Sequence, residues 1–212
     1  MSKIHITNLE IGDWFRQQPE KVDIWATDPP YCFDNQNGSG RMKFEGGTDK
    51  MYDRMSYADL EACYAEMLKL SNPGASCYVF TDREGLFHCK PDMEKVGWTF
   101  RQIIVYDKVN MGMGYHFRNQ IEYIVYCTNG KTDRYVTKIP NIISAKKPKG
   151  ISAKPPIIWE TILQHQLREG DVTADPFAGS DPLSQALNGD ATLLAKVKSS
   201  YSNIYQGATI VV

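Results

Sequence analysis

"VDIWATDPPY", residues 22–31, runs a six-residue apolar stretch straight into an acid, two prolines and a tyrosine. Its first six residues have the composition of a strand buried in a parallel sheet, where neither face meets water. Pro29 and Pro30 fix their own φ angles and restrict the residue before each, so the segment that follows is a stiff, extended turn. Ligand sites in such sheets gather at the carboxyl ends of the strands, which is where Asp28, Pro29, Pro30 and Tyr31 would stand. Together they suit a planar group bearing an amine: the ring stacks on the plane while the carboxylate and a carbonyl accept the amino hydrogens. The competing reading is a strand end closed by an Asx-turn, with a core tyrosine after it.

Outward from this stretch, apolar β-rich runs alternate with helical patterns, the signature of a mostly parallel sheet with helices packed on it. Strands are expected at "KIHIT", "VDIWAT", "SCYVFT", "FRQIIVYDK", "IEYIVYCT" and "VTAD", and helices near Leu9–Gln18, Tyr57–Leu70, Arg83–Val96, Ile157–Leu167 and Pro182–Leu187. The clearest helix is "SYADLEACYAEMLKL", with Ser56 as its cap and Leu60, Tyr64, Met67 and Leu68 on one face; "SNPG" is expected to end it. Two stretches lack either period. Residues 32–54, rich in Gly, Asn and Asp, read as a long mobile loop, and residues 138–156 hold Lys138, Lys146, Lys147, Lys149 and Lys154.

A second candidate segment is "VTADPFAGSDPLSQAL", residues 172–187, again a short apolar strand leading into Asp-Pro, a glycine and a helix start. Glycine admits a ligand to the backbone, and the N–H groups of a helix N-terminus favour a carboxylate or phosphate. A plain, well-capped strand-to-helix turn explains the same residues.

At 212 residues the chain suits one α/β domain with insertions, and its 24 Lys and Arg against 25 Asp and Glu give no overall field that announces a partner. Five scattered cysteines without a C-x-x-C pair indicate neither a disulfide framework nor a zinc site. No signal-peptide core and no run of about 18 apolar residues is present, so a soluble, cytoplasmic protein without metal or membrane partner is expected.

The two Asp-Pro segments, in this order, resemble the β group of amino-group DNA methyltransferases, with D-P-P-Y near the N-terminus and D-P-F-x-G-S near the C-terminus. "IEYIVYCT" is similar to that family's aromatic-rich strand and "SAKPPIIWETIL" to its "KP" segment, so the resemblance spans roughly residues 3–190. It implies a Rossmann-like, mostly parallel twisted sheet flanked by helices, with one antiparallel edge strand, in a single domain over residues 1–212. The reaction implied is methyl transfer from S-adenosylmethionine to the exocyclic amine of a flipped-out base in double-stranded DNA, adenine N6 ahead of cytosine N4. Asp28, Pro29, Pro30 and Tyr31 would be catalytic. Asn8, Asp28, Lys154, Asp175, Phe177, Gly179 and Ser180 would hold the cofactor, Lys154 through its carboxylate. Tyr31, Phe33, Arg41, Lys146 and Lys147 would meet the DNA, from a target loop at residues 32–56 and a basic segment at residues 131–153. That segment leaves little room for a separate recognition domain, so specificity is short or is supplied by a second copy in a homodimer.

The chain also departs from the family pattern. Asp181 and Pro182 follow Gly179-Ser180 where glycine and threonine are usual, and Lys196 falls where an acid usually holds the ribose. Other functions thus stay open: a silent nucleic-acid binder of the same fold, or methylation of an amine in RNA or protein. Lys154 itself has an alternative reading as an ordinary solvated charge.

Overall fold

A computed structural model describes residues 3–5, 11–17, 21–31, 55–112, 116–135, 138–146, 154–168, 170–177 and 209–211. Chain order gives β1 (Lys3–His5), α1 (Ile11–Gln17), β2 (Val22–Thr27), α2 (Tyr57–Lys69), β3 (Ser71–Thr81) and α3 (Leu86–Val96). There follow β4 (Thr99–Asp107), β5 (Ile121–Thr128), β6 (Ile142–Ser144), α4 (Pro156–Gln166), β7 (Val172–Ala174) and β8 (Thr209–Val211). The strands form one sheet in the order β1-β8-β7-β2-β3-β5-β4-β6. Every neighbouring pair is parallel except the two that β5 makes, with β3 and with β4. The expected α/β architecture with one reversed strand is thus present. That strand lies two places in from the edge, because β4 and then β6 add outside it.

Strand β2 is buried along its whole length, as its composition requires, and sends alternate side chains to two cores. Ile24 and Ala26 join Tyr78, Phe80, Ile124 and the α4 residues Ile158, Trp159, Ile162 and Leu163 on one face. Trp25 joins Cys77, Val79 and Val125, together with Trp14 and Phe15 of α1, Tyr64 and Met67 of α2, and Met93 of α3, on the other. Among the described residues three helices therefore cover one face and α4 the second, and the carboxyl ends of the central strands are where a ligand can approach.

Helix α2 begins as the sequence indicates. The Ser56 hydroxyl accepts from the Asp59 amide at 3.2 Å, and the Asp59 carboxylate accepts from the Ser56 amide at 2.9 Å, a reciprocal capping box. Its buried face is Leu60, Cys63, Tyr64 and Met67; Cys63 takes the place expected of Leu68, which is only partly buried. Ser56→Ala is expected to cost about 1 kcal/mol, the usual worth of such a cap, read as a lower denaturant midpoint with an unchanged slope.

Three expectations are corrected. "SNPG" ends α2 as expected, but β3, expected from Ser76, already starts at Ser71. Between the pairs Val22↔Ser71 and Ile24↔Ser76, β3 carries three more residues than β2, so Asn72, Pro73 and Gly74 sit in a bulge. A bulge tolerates a proline without N–H and a glycine at φ 78°. The period-free stretch at residues 138–156 in turn contains β6, whose three residues are too few to display a period but pair with Val105–Asp107. Helix α3 begins three residues later than expected, because Arg83–Gly85 form a turn. The helix expected at Pro182–Leu187 lies outside the described residues.

Candidate active site

Strands β2 and β7 are hydrogen-bonded neighbours, so the two Asp-Pro segments emerge side by side at one end of the sheet. A short bond joins them. The Thr27 hydroxyl donates to Asp175 Oδ1 at 2.6 Å, and the same oxygen accepts from the Phe177 amide at 2.9 Å, which fixes the turn after β7. Asp175 is buried, while Phe177 is partly exposed and packs on the α1–α3 core.

Asp28 follows Thr27 directly and is a quarter exposed, its side chain at 24%. Lys154 reaches it from the segment before α4, donating from Nζ to Asp28 Oδ2 at 2.6 Å. The same ammonium lies 3.2 Å from Glu122 Oε2 in β5. It also sits 5.2 Å from the Tyr31 ring centroid and 5.4 Å from that of Phe80, a cation over two aromatic faces. With only 6% of its side chain exposed, Lys154 is not the solvated charge that its lysine-rich neighbourhood allowed. The Tyr31 hydroxyl donates to Glu122 Oε2 at 3.0 Å, and Lys108, at the end of β4, donates to Glu122 Oε1 at 3.3 Å. A recess beside the turn is lined by Pro29, Pro30, Tyr31, Tyr57, Tyr64 and Phe80, among others.

Burial pushes the Asp28 carboxyl above its ordinary range, with Glu122 adding to the rise and Lys154 opposing it. Burial likewise raises the Tyr31 hydroxyl, helped by Asp28 and Glu122. At Glu122 burial acts upward too, but Lys154 and Lys108 together outweigh it and its carboxyl lies low. Lys154 loses to burial and gains more from Asp28 and Glu122, so it is held above its usual value and stays charged. Among the described residues, the cluster joined through Lys154 and Glu122 thus holds two carboxylates and two ammonium groups around one tyrosine.

Of the residues singled out in the sequence, the fold brings Asp28, Pro29, Pro30, Tyr31, Lys154, Asp175 and Phe177 to one end of the sheet. Lys146 is exposed just beyond β6, whose Ser144 pairs with Asp107, so it lies at that same end. Asn8, Phe33, Arg41, Lys147, Gly179 and Ser180 lie outside the described residues, as do Asp181, Lys196 and nearly all of the 32–56 loop. The 131–153 segment is divided. Arg134 pairs with Asp23 and Asp171 at the amino ends of β2 and β7, the far end of the sheet from Asp28. The chain regains the Asp28 end only with β6. Sequence reasoning missed Glu122 and Lys108. Their signal was an acid in the apolar run "IEYIVYCT" and a lysine closing "FRQIIVYDK", which an antiparallel pairing sets close together.

Among the described residues no helix is long and apolar enough to cross a membrane, and no group of three or more His, Cys, Asp or Glu is placed to hold a metal ion. No family profile matches the chain, and no curated protein does. Solved structures do match. M1.HpyAVI in its SAM complex superposes with a TM-score of 0.69 at 17% identity, over 98% of this chain and 92% of that one. TTHA0409 of Thermus thermophilus, complexed with S-adenosyl-L-methionine, gives 0.60 at 18% identity over 100% and 89%. The cytosine-N4-specific PvuII DNA methyltransferase gives 0.67 at 10% identity over 100% and 82%. At these identities the likeness establishes the fold: the chain folds as these SAM-binding and DNA methyltransferase structures do, over nearly their whole length.

Proposed function

We propose that the chain is an S-adenosylmethionine-dependent DNA methyltransferase acting on the exocyclic amine of a flipped-out base, adenine N6 in preference to cytosine N4. One observation carries the reading. Asp28, a partly exposed carboxylate beside an aromatic ring, stands one residue from the Thr27 hydroxyl that ties down Asp175, so an amine site and a cofactor site would adjoin. A transfer between two bound molecules needs that adjacency.

The turn after β7, fixed beside Asp28, supports a place for the cofactor. Asp175 and Phe177 fix the turn after β7 and, with Gly179 and Ser180 beyond it and Asn8 after β1, would hold it. Bound there, it supplies an electrophilic methyl group on a sulfonium. Asp28 and the Pro29 carbonyl would accept the two hydrogens of the base amine, drawing its lone pair out of the ring and towards the methyl carbon. An amine that took up the methyl group would have one proton to shed. The raised Asp28 carboxyl is a suitable first acceptor for it. Tyr31, held by Glu122, offers the base a stacking face worth about 1–3 kcal/mol. That offsets part of the few kcal/mol that flipping costs. Phe33 and Arg41 would meet the base and its neighbours, and Lys146 and Lys147 the phosphates. A homodimer would enlarge the recognised site.

The test is transfer of labelled methyl from S-adenosylmethionine to unmethylated duplex DNA, followed by digestion to nucleosides. Label in N6-methyladenine is the expected result. Label in N4-methylcytosine, the base of the PvuII enzyme, would replace the adenine assignment and keep the rest. The cofactor should also raise thermal stability by mass action, about 2.7 kcal/mol at a hundred times its Kd. A folded protein that retards DNA yet shows neither label nor cofactor stabilisation would be a silent binder.

A further inference from the structure

Lys154 has three N–H donors and two carboxylates within reach, Asp28 Oδ2 at 2.6 Å and Glu122 Oε2 at 3.2 Å. A lysine on Asp28 alone would keep that carboxylate ionised, yet would also compete with a base amine for its lone pairs. Glu122 draws the ammonium the other way. It can do so because Lys108, 3.3 Å from Oε1, supplies a second cation on its far side, and because Oε2 is anchored by the Tyr31 hydroxyl as well. Glu122 is itself only 12% exposed, so water does not substitute for any of these partners. We infer that Lys154, divided between Asp28 and Glu122, sets both the ionisation and the availability of the Asp28 carboxylate, with Glu122 as the positioning residue that holds the lysine and the Tyr31 hydroxyl in place. The inference rests on the reading of Asp28 as acceptor of the base amine.

Among the described residues, the groups that face Asp28 are few enough to give each variant a sign. Lys154 comes from the segment before α4, Glu122 from β5 and Tyr31 from its own turn. One step further out are Lys108, through Glu122, and Asp82, through Tyr31. Lys154→Met removes the attracting cation, so Asp28 should hold its proton to higher pH and the acid limb of kcat should move up. Glu122→Gln removes the repelling anion, so Asp28 should ionise at lower pH and the limb should move down. In the second variant the amide still accepts from Tyr31, but Lys154 settles wholly on Asp28. There kcat should fall roughly tenfold to a hundredfold, as expected for a misplaced reacting group, with little change in KM for DNA. A rate that falls while the acid limb moves to lower pH is not a signature that general loosening of the fold produces.

Two readouts separate the inference from the function it rests on. The first is the 13C titration of Asp carboxyls in the full chain, the Asp28 signal being identified by its loss in Asp28→Asn. The second is kcat against pH with labelled S-adenosylmethionine. Opposite displacements of the Asp28 titration in the two variants are expected, and curves that coincide with wild type overturn the inference whether or not methyl is transferred. Displaced titrations in the two variants, beside a wild type that methylates no amine, uphold the shared lysine and overturn the methyltransferase reading. Should Lys154→Met fail to fold, Glu122→Gln carries the test: a downward displacement with lowered kcat supports the inference, and an unmoved titration or an upward one refutes it.

Discussion

Asp28→Ala is expected to lower methyl transfer by about 10³-fold, in the middle of the range for removal of a group that positions a nucleophile and takes up its proton. The loss should appear in kcat at saturating DNA and cofactor, because the carboxylate acts where the amine changes geometry rather than where either molecule is first bound. Thermal stabilisation by the cofactor should survive, since Asp175 and Phe177 lie on the neighbouring turn. The substitution also unbalances the site: Lys154 and Lys108 remain against Glu122 alone, a net positive charge among buried groups. Stability should therefore fall with activity, and the two effects need separating. Pairing Asp28→Ala with Lys154→Met restores neutrality, so the double variant should regain thermal stability over the single one while staying inactive. Transfer within tenfold of wild type in either variant would remove Asp28 from the chemistry.

The contrast between what is legible in the sequence and what is not is itself physical. "VDIWATDPPY" is legible because a fully buried strand and a proline-stiffened turn are written locally, in composition and in φ restriction. Helix α2 is legible because its cap and its apolar face repeat within one turn. Glu122 and Lys108 are not, since their meaning lies in register: β5 runs antiparallel between β3 and β4, and only that pairing brings them to the Asp28 end. Lys154 stands out in the sequence, but solvent is an equal candidate for it there. Its burial depends on Phe80 and Tyr31, 74 and 123 residues earlier in the chain, closing over it. Strands of three residues, such as β6 and β7, carry too little pattern to be read alone; β7 is marked by the Asp-Pro that follows it, and β6 has no such marker.

The largest stability effect should come from the opposite end of the sheet. Arg134 reaches the amino ends of β2 and β7, where it pairs with Asp23 at 3.4 Å and with Asp171. Asp23 also accepts from Asn72 Nδ2 and the Val172 amide, each at 3.0 Å, and Asp171 accepts from the Arg168 amide at 2.7 Å. One guanidinium thus ties together two parallel strands and the segment after β5. Arg134→Leu leaves two carboxylates facing each other with 13% and 7% of their side chains exposed, and is expected to cost about 3–5 kcal/mol. For a chain of this size that is a fall in Tm of roughly 10 °C. The pH dependence follows from Asp171, whose carboxyl burial already raises, with Arg134 opposing. A carboxyl raised on folding binds protons better folded than unfolded, so its charge costs stability above the folded pKa, and that cost disappears as pH falls through it. Loss of Arg134 raises the carboxyl further. The Tm difference between wild type and variant should therefore be widest near neutral pH and narrow on acidification. Methyl transfer per folded molecule, measured well below the transition, should be unchanged, and so should retardation of DNA. A variant that keeps its Tm but loses its grip on DNA would place Arg134 among the residues that meet phosphates and restore the whole 131–153 segment as the basic interface.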